Sequence, residues 1–555
     1  MKEKIKNFCH SLKRNGWKTE IRRIMNYIRF RKTVPDSYKE WQILNEPSQK
    51  DLEMQKKYES CLKIKFLVIV DDEKSISGLQ EQTYSHFTVK CAKSKEYEKI
   101  IQEEENIDYV LFVGNHIHMY PFALYNIVKY LEYNDCYAFY TDNDEYSEEK
   151  GKRENPDFKP DFAYDTLLSK NYIGNFIGIK KNFLMKYTDI LKNIAQEDPF
   201  YDILLRMTEI LSRPNQIFHI DQVLYGKKAE ENIQEDVQKR VIAEHLQRKH
   251  ILYEAIENGK FPGQYHIVYS LKEEKPKVSI VIPNMDHIND LKTTVESIMN
   301  KSTYTNIEIV IVENNSKNKE TFAYYEELKK KYDCVHVEKL EITYFNYSRI
   351  VNFGVEKATG EYIILLNNDV EIITPNWIEE MLMYVEQKRV GICGARLYFP
   401  DRSIQHAGVT IGIRGLAGHR YHELPESAFT AKDAVSYVQD LSAVTAACFM
   451  IAKENYEKVL GFDEKLAVAF NDVDFCLKIL QEDLQIIYNP FVELYHYESK
   501  SRGQDDSEEK QKRFAGEYEL FVKRWCKEIQ RGDRYFNINY RLDTDIPTIN
   551  YNRIR

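Results

Sequence analysis

The stretch VSIVIPNMDHINDLKTTVESIMNKSTYTNIEIVIVENNS (278–316) changes hydrophobic period twice. VSIVIP (278–283) is a short, continuous apolar run that stops at Pro283, as a strand buried on both faces does. EIVIVENNS (308–316) repeats that pattern and ends in an Asn/Ser turn. Between them, LKTTVESIM (291–299) has helical spacing. The three together predict a β-α-β unit and a mostly parallel sheet with helices on both faces. The Lys/Glu/Pro cluster LKEEKPK (271–277) just before it reads as a domain boundary. Upstream, KIKFLVIV (63–70) opens another series of strand-like and helical patches that runs to Tyr225. Residues 230–260 are charged, helical in pattern and linker-like.

Ligands on such sheets bind beyond the carboxyl ends of the strands. The residues after each apolar run are therefore the ones to read for chemistry. YIILL (362–366) runs into Asn367, Asn368, Asp369 and then Glu371. A carboxylate flanked by amides suits Mg²⁺ or Mn²⁺, which take oxygen ligands and keep phosphate oxygens and water in their shell. The same Asn-Asn-Asp is also an ordinary turn sequence. In NDVDFCLKIL (471–480), the acids near a helix start are either caps or a general base at a helix N-terminus. In VELYHYESKSRG (492–503), His496 follows a short apolar stretch and Lys500 and Arg502 stand close behind. Histidine can ligate a metal and the cations can hold a phosphate; a histidine after a strand is also often purely structural.

In order, VSIVIPNMD, VENNS, FNYSRIVNFGVEKATGEYIILLNND, FNDVDFCLKI and LYHYESKSRG resemble the family 2 glycosyltransferases over about residues 276–530. The resemblance implies a GT-A fold, a nucleotide-diphosphate sugar as donor, and a divalent cation, Mn²⁺ or Mg²⁺. It places Pro283, Asn284, Glu313, Asn352 and Asn368 on the donor. Glu313 stands where the family usually has Asp, which keeps the charge on a longer arm. It makes Asp369 the direct metal ligand with His496 beside the metal and diphosphate, Asp472 the catalytic base, and Lys500 and Arg502 further contacts to the diphosphate. QHAGVTIG (405–412) and SAVTAACF (442–449) match segments lining the sugar and acceptor side. The implied reaction is a single inverting displacement.

The first half echoes the second. YVLFVGNH (109–116) aligns with YIILLNND (362–369), FYDILLRM (200–207) with DVDFCLKI (472–479), and VLYG (223–226) with ELYH (493–496). His116 then replaces Asp369, Phe200 replaces Asp472 and Gly226 replaces His496, while Asp202 faces Asp474. The expected architecture is α/β, with two GT-A-like domains in tandem and the first degenerate. The expected divisions are a basic helical segment 1–50, a degenerate domain 60–230, a helical linker 231–272, a catalytic domain 273–530 and a tail 531–555. His116 and His118 with Asp142 and Asp144 form an alternative metal set.

Composition sets the outer limits. At 555 residues the chain needs two or three domains. Its net charge of −9 disfavours nucleic acid as a partner. Nine scattered cysteines without a CxxC pair fit a reducing cytosol. No run approaches the roughly 20 apolar residues of a membrane span, and the N-terminus lacks the apolar core of a secretory signal. Residues 1–32 hold 11 Lys/Arg against two acids, which fits either peripheral contact with an anionic membrane surface or a solvated helix. Residues 498–512 have the composition of a charged surface loop or a donor-ordered lid.

The family resemblance implies, as the expected function, an inverting glycosyltransferase of bacterial surface polysaccharide synthesis. It would act on a glycan or lipid-linked acceptor, in the cytoplasm or at the inner membrane face, with rhamnose a plausible sugar. Two alternatives stand beside it. One is a non-catalytic glycan-binding or assembly protein. The other is a nucleotidyltransferase, which PNMDHIND (283–290) disfavours because it offers no glycine-rich phosphate loop.

Overall fold

The computed structural model describes residues 35–72, 78–147, 151–211, 216–228, 233–430, 434–497 and 508–550. The basic segment 1–32, Lys500 and Arg502 lie outside them. The chain forms two compact units, one within 30–267 completed by residues 534–541 and 548–550, the other within 268–533 completed by 542–547.

The N-terminal unit begins with helix α1 (Pro35–Asn45). Its strands are β1 (Phe66–Val70), β2 (Phe87–Cys91), β3 (Tyr109–Val113), β4 (Ile117–Met119), β5 (Ala138–Ser147), β6 (Lys152–Asp157) and β7 (Phe176–Lys180). Helix α2 (Pro199–Ile210), strand β8 (Ile217–Lys227) and helix α3 (Glu235–Arg248) follow, and then the hairpin β9 (Tyr253–Asn258) and β10 (Tyr265–Tyr269). The stretch expected as a helical linker thus holds one helix and a hairpin, and α3 belongs to the body of this unit. The residues expected as a tail are likewise built into the two units.

The C-terminal unit continues with β11 (Val278–Asn284), α4 (Ile288–Lys301), β12 (Ile307–Glu313), α5 (Lys319–Lys331), β13 (Val335–Lys339), α6 (Tyr347–Lys357), β14 (Tyr362–Leu366), β15 (Val370–Ile372), α7 (Trp377–Val385) and β16 (Val390–Tyr398). After these come β17 (Ile404–His406), β18 (Val409–Ile411), β19 (Ala417–His419), β20 (Gln439–Asp440), β21 (Cys448–Ala452), α8 (Asn471–Gln481), β22 (Gln485–His496) and α9 (Glu508–Arg531). Residues 508–512, read as part of a loop, begin α9 instead.

Sequence period explains the layering. β12 and β14 are buried at every position, because helices cover both faces of the parallel strands β13, β12, β11 and β14. α4 buries Leu291, Thr294, Val295 and Ile298, one face of a helix. α6 packs so closely that a Cβ on Gly354 would lie 2.4 Å from Val281 Cγ1 and 2.7 Å from Val312 Cγ2. Glycine is thus the residue that lets this helix lie against the sheet.

The two sheets share one topology. The main path is β2-β1-β3-β7-β5-β8-β4 in the first unit and β13-β12-β11-β14-β21-β16-β22-β15 in the second. Pairing each strand of the first path with its counterpart preserves every parallel and antiparallel neighbour, including an irregular register where β5 meets β8 and β16 meets β22. The expected α/β class, with two like units in tandem, is present. The ladders refine one alignment. Ile117 faces Lys227, as Val370 faces His496, so Lys227 rather than Gly226 takes the His496 position.

Candidate functional site

The C-terminal unit gathers its polar residues at the end of β14. The chain leaves Leu366 through Asn367–Asp369 and re-enters the sheet as β15 beside β22, whose last residue is His496. This crossover brings Asp369 Oδ1 to 3.2 Å from His496 Nε2. Both side chains are largely buried. Thr294 on α4 pins the loop: its Oγ1 lies 2.8 Å from the Asn368 carbonyl oxygen and accepts from Val370 N–H at 3.2 Å. Gln405 holds the far side of the imidazole, with its amide nitrogen 2.6 Å from His496 Nδ1. A glutamine amide carries a donor and an acceptor, so it serves either tautomer of the ring.

The base candidate reaches the same place from another element. Asp472 lies in the first turn of α8, entered through Phe470 in the left-handed region at φ 60°. Ala446 N–H donates to Asp472 Oδ2 at 3.4 Å, and Asn367 N–H donates to the carbonyl of the next residue, Ala447, at 3.0 Å. Adjacent residues of the 442–449 segment therefore hold the 367–369 loop and Asp472 together. Asp474, two residues on, has a different task. It is fully buried, and its Oδ1 accepts from Arg524 Nη1 at 2.6 Å and Trp525 Nε1 at 2.8 Å, which fastens α9 to α8.

The expected donor residues divide. Pro283 and Asn284 end β11 beside the 367–369 loop, and Asn368 Nδ2 donates to Asn284 Oδ1 at 2.6 Å. Asn284 Nδ2 in turn donates to the Tyr325 hydroxyl at 2.7 Å, and that hydroxyl donates to Glu313 Oε2 at 2.6 Å. Glu313 also accepts from the Ser316 N–H and hydroxyl, both at 2.6 Å. Its carboxylate is therefore taken up by its own turn. Burial and the Glu313 charge hold the Tyr325 phenol well above its ordinary range. Asn352 is placed elsewhere: its amide donates to Phe462 O at 2.9 Å and accepts from Phe462 N–H and the Tyr456 hydroxyl, tying α6 to the 456–462 loop.

Two histidines that the sequence reading did not single out complete the cluster. His406, at the end of β17, is fully buried, and its Nδ1 lies 2.9 Å from Nδ1 of His419 on β19. Burial and the neighbouring His419 and Arg420 charges push His406 well below its ordinary value. Burial also lowers His419, against an opposing pull from Asp472. The available signal was QHAG followed by a glycine-spaced hairpin, but nothing in residue spacing pairs positions 406 and 419.

The alternative metal set in the N-terminal unit does not assemble. Asp142 is bound by His219 Nε2 at 2.7 Å and by the amides of Asn537 and Asn539. Asp144 is bound by Tyr38 Oη at 2.6 Å, Arg153 Nε at 2.7 Å and Tyr120. His118 stacks on Tyr146, and His116 is exposed. Among the described residues no group of three His, Cys, Asp or Glu side chains could hold a metal ion by itself. Asp369 and His496 are a pair, and a pair fits a small hard cation that takes its remaining ligands from phosphate and water. No helix among the described residues is long and apolar enough to cross a membrane.

Comparison with known proteins adds four findings. Residues 279–458 match the family described as glycosyl transferase family 2. The chain is 36% identical over 435 residues to the uncharacterized protein y4gI of Sinorhizobium fredii, covering 76% of this chain and 47% of that one. It is 31% identical over 413 residues to the O-antigen biosynthesis protein RfbC of Myxococcus xanthus, covering 72% of this chain and 31% of that one. The chain thus spans less than half the length of these curated relatives. Among solved structures, GalNAc-T7 with UDP, GalNAc and Mn²⁺ is similar at a TM-score of 0.39 and 16% identity, over 50% of this chain and 52% of that one.

Proposed function

We propose, from a chain that belongs to glycosyl transferase family 2 through residues 279–458, that the C-terminal unit is a metal-dependent, inverting glycosyltransferase. It moves a sugar from a nucleotide-diphosphate donor to a hydroxyl of a glycan or lipid-linked acceptor. The observation that carries this reading is that adjacent residues hold its two parts: Ala446 N–H binds Asp472, and Ala447 O binds Asn367, which opens the loop that brings Asp369 to His496. A two-ligand cation position and a carboxylate at a helix start are the two groups that such a displacement needs.

Asp369 and His496 would hold the cation. A divalent cation, Mn²⁺ or Mg²⁺, held by these two residues would supply charge neutralisation for the departing diphosphate. Asp472 accepts the proton of the attacking hydroxyl. Its Oδ2 is fixed by Ala446 N–H and its Oδ1 by Val473 N–H at 2.9 Å, so the carboxylate is held ready before the acceptor arrives. Pro283, Asn284 and Asn368 border the donor side. Lys500 and Arg502 are assigned to the diphosphate on the family pattern alone. Attack from the face opposite the leaving group inverts the anomeric centre, and no second nucleophilic carboxylate is needed.

The polysaccharide setting rests on the O-antigen biosynthesis relative. The peripheral membrane contact through residues 1–32, and a place at the inner face of the cell membrane, rest on the local charge alone. The N-terminal unit is assigned a supporting role, because Phe200 at the base position cannot accept a proton.

The test is donor binding and hydrolysis with a panel of UDP-, dTDP- and GDP-sugars. Each is run with Mn²⁺, Mg²⁺ or EDTA, on wild type, Asp369→Ala and His116→Ala. Metal-dependent turnover of one donor, lost in Asp369→Ala and kept in His116→Ala, is the expected outcome. Dependence on His116, or no binding of any donor, moves the reading to a non-catalytic glycan-binding protein.

A further inference from the structure

His406 and His419 form a chain whose proton positions follow from their partners. A neutral imidazole has one N–H and one acceptor nitrogen. The backbone N–H of Thr445 reaches His406 Nε2 at 3.4 Å. A backbone N–H can only donate, so Nε2 is the acceptor and the proton of His406 sits on Nδ1. That N–H meets Nδ1 of His419 at 2.9 Å, so Nδ1 of His419 accepts. The His419 proton is then on Nε2. Burial keeps both rings neutral and thus keeps this arrangement in place. The rings meet edge to face, 84° apart, with centroids separated by 5.1 Å.

The free end of the chain is the informative one. His419 is only partly buried, and its Nε2 makes no hydrogen bond among the described residues. The Asp472 carboxylate opposes the burial that lowers this ring. His406 is anchored by Thr445 and Asp472 by Ala446, so consecutive backbone N–H groups set both ends of the arrangement. A fixed donor beside a fixed base is what two neighbouring oxygens of one sugar would meet.

We propose that His419 is a positioning residue for the acceptor: its Nε2–H donates to one oxygen of a sugar while the adjacent hydroxyl is presented to Asp472, and His406 sets the tautomer that makes this possible. The proposal rests on the transferase reading above. It adds that the acceptor is a polyol with neighbouring oxygens, and it names the residues that select it.

Two measurements test it. The first needs no substrate. Long-range ¹H–¹⁵N spectra of histidine-labelled full-length protein, assigned by single His→Gln variants, give the tautomers directly. Nδ1–H on His406 and Nε2–H on His419 are expected; the opposite pair overturns the chain. The second uses the accepted donor and a panel of methyl glycosides as acceptor probes. His419→Ala is expected to raise acceptor KM about tenfold, the scale of one lost hydrogen bond, with donor KM changed less than about twofold. His419→Gln, whose amide N–H can replace Nε2–H, is expected to recover most of the loss. Equal losses in donor and acceptor KM, or no rescue by glutamine in a protein that melts like wild type, overturn the positioning role. A wild type inactive with every donor defeats the transferase reading instead, and the tautomer spectrum still decides the histidine chain.

Discussion

Asp472 and Asp474 stand two residues apart on α8, and the structure predicts opposite consequences for replacing them. Asp474→Ala removes two hydrogen bonds to a fully buried carboxylate, from Arg524 and from Trp525. A hydrogen bond to a charged group contributes about 1.5–3 kcal/mol. Arg524 is 31% exposed and keeps Asp463 as a partner at 2.5 Å, so its share is at or below the low end of that range. The sum is about 3 kcal/mol. At about 2–4 °C per kcal/mol for a domain of this size, the melting transition of the C-terminal unit falls by about 10 °C. Hydrogen exchange in 508–531 accelerates, because α9 loses its anchor. Asp472→Asn keeps the size of the side chain and an acceptor for Val473 N–H, and costs less than about 1 kcal/mol, yet it abolishes transfer. Scanning calorimetry and mass-resolved hydrogen exchange on both variants, beside donor turnover, read all of this. An Asp474→Ala protein that melts within about 2 °C of wild type, or an Asp472→Asn protein that melts as low as Asp474→Ala, refutes the division of roles.

Three further outcomes follow from the same geometry. Asp369→Ala weakens Mn²⁺ binding in the presence of nucleoside diphosphate by at least about tenfold, and Gln405→Leu, which removes the partner of His496 Nδ1, by about 10- to 100-fold; isothermal titration measures both, and unchanged affinity in Asp369→Ala removes the metal assignment. In the N-terminal unit, burial lowers His219 but the Asp142 and Asp161 carboxylates outweigh it and lift it to about 9. A histidine raised on folding stabilises fully below its unfolded value of about 6.5 and loses that contribution as pH rises through 9. This unit therefore loses about 3 kcal/mol between those limits, and His219→Gln flattens the profile; an equally steep profile in that variant counts against the pair. In the C-terminal unit the sign reverses. His406 and His419 are lowered on folding, so their contribution is intact above about pH 6.5 and is lost as pH falls below it; a C-terminal transition that strengthens on acidification contradicts the buried neutral pair.

Much of this was legible in the sequence for identifiable reasons. Strands such as Ile307–Glu313 announce themselves because both faces are buried and the apolar run is unbroken. Asp369 was legible because the residue after a parallel strand has a predictable place. Glu313 and Asn352 were legible as positions but not as tasks. Both look like ligand contacts by motif, yet each side chain is occupied by its own neighbourhood, Ser316 and Tyr325 for one, Phe462 and Tyr456 for the other. Hydrogen-bond competition of that kind is a property of three-dimensional neighbours. The His406–His419 contact spans a hairpin, and the Asp142 cluster joins residues nearly 400 positions apart through Asn537 and Asn539. No local period reports either.

The comparison of the two units separates what the fold requires from what chemistry requires. Asp202 occupies the place of Asp474 and does equivalent work. It is fully buried, and its Oδ1 accepts from Arg206 at 2.9 Å and from Arg248, on the helix that follows β8, at 3.2 Å. Asp474 likewise binds Arg524 on the helix after β22. The positions of Asp369, Asp472 and His496 share nothing with their counterparts. His116 is exposed where Asp369 is buried, and the Phe200 ring packs beside Gly114 where the other unit has Asn367. Lys227 faces Ile117 where His496 faces Val370. Phe200 is buried, and an unpaired carboxylate at such a position costs stability that an aromatic ring does not. A carboxylate that anchors a helix is not replaceable in that way. Asp202→Ala should therefore destabilise the N-terminal unit about as much as Asp474→Ala destabilises the C-terminal one, while Phe200→Asp should destabilise it without creating activity.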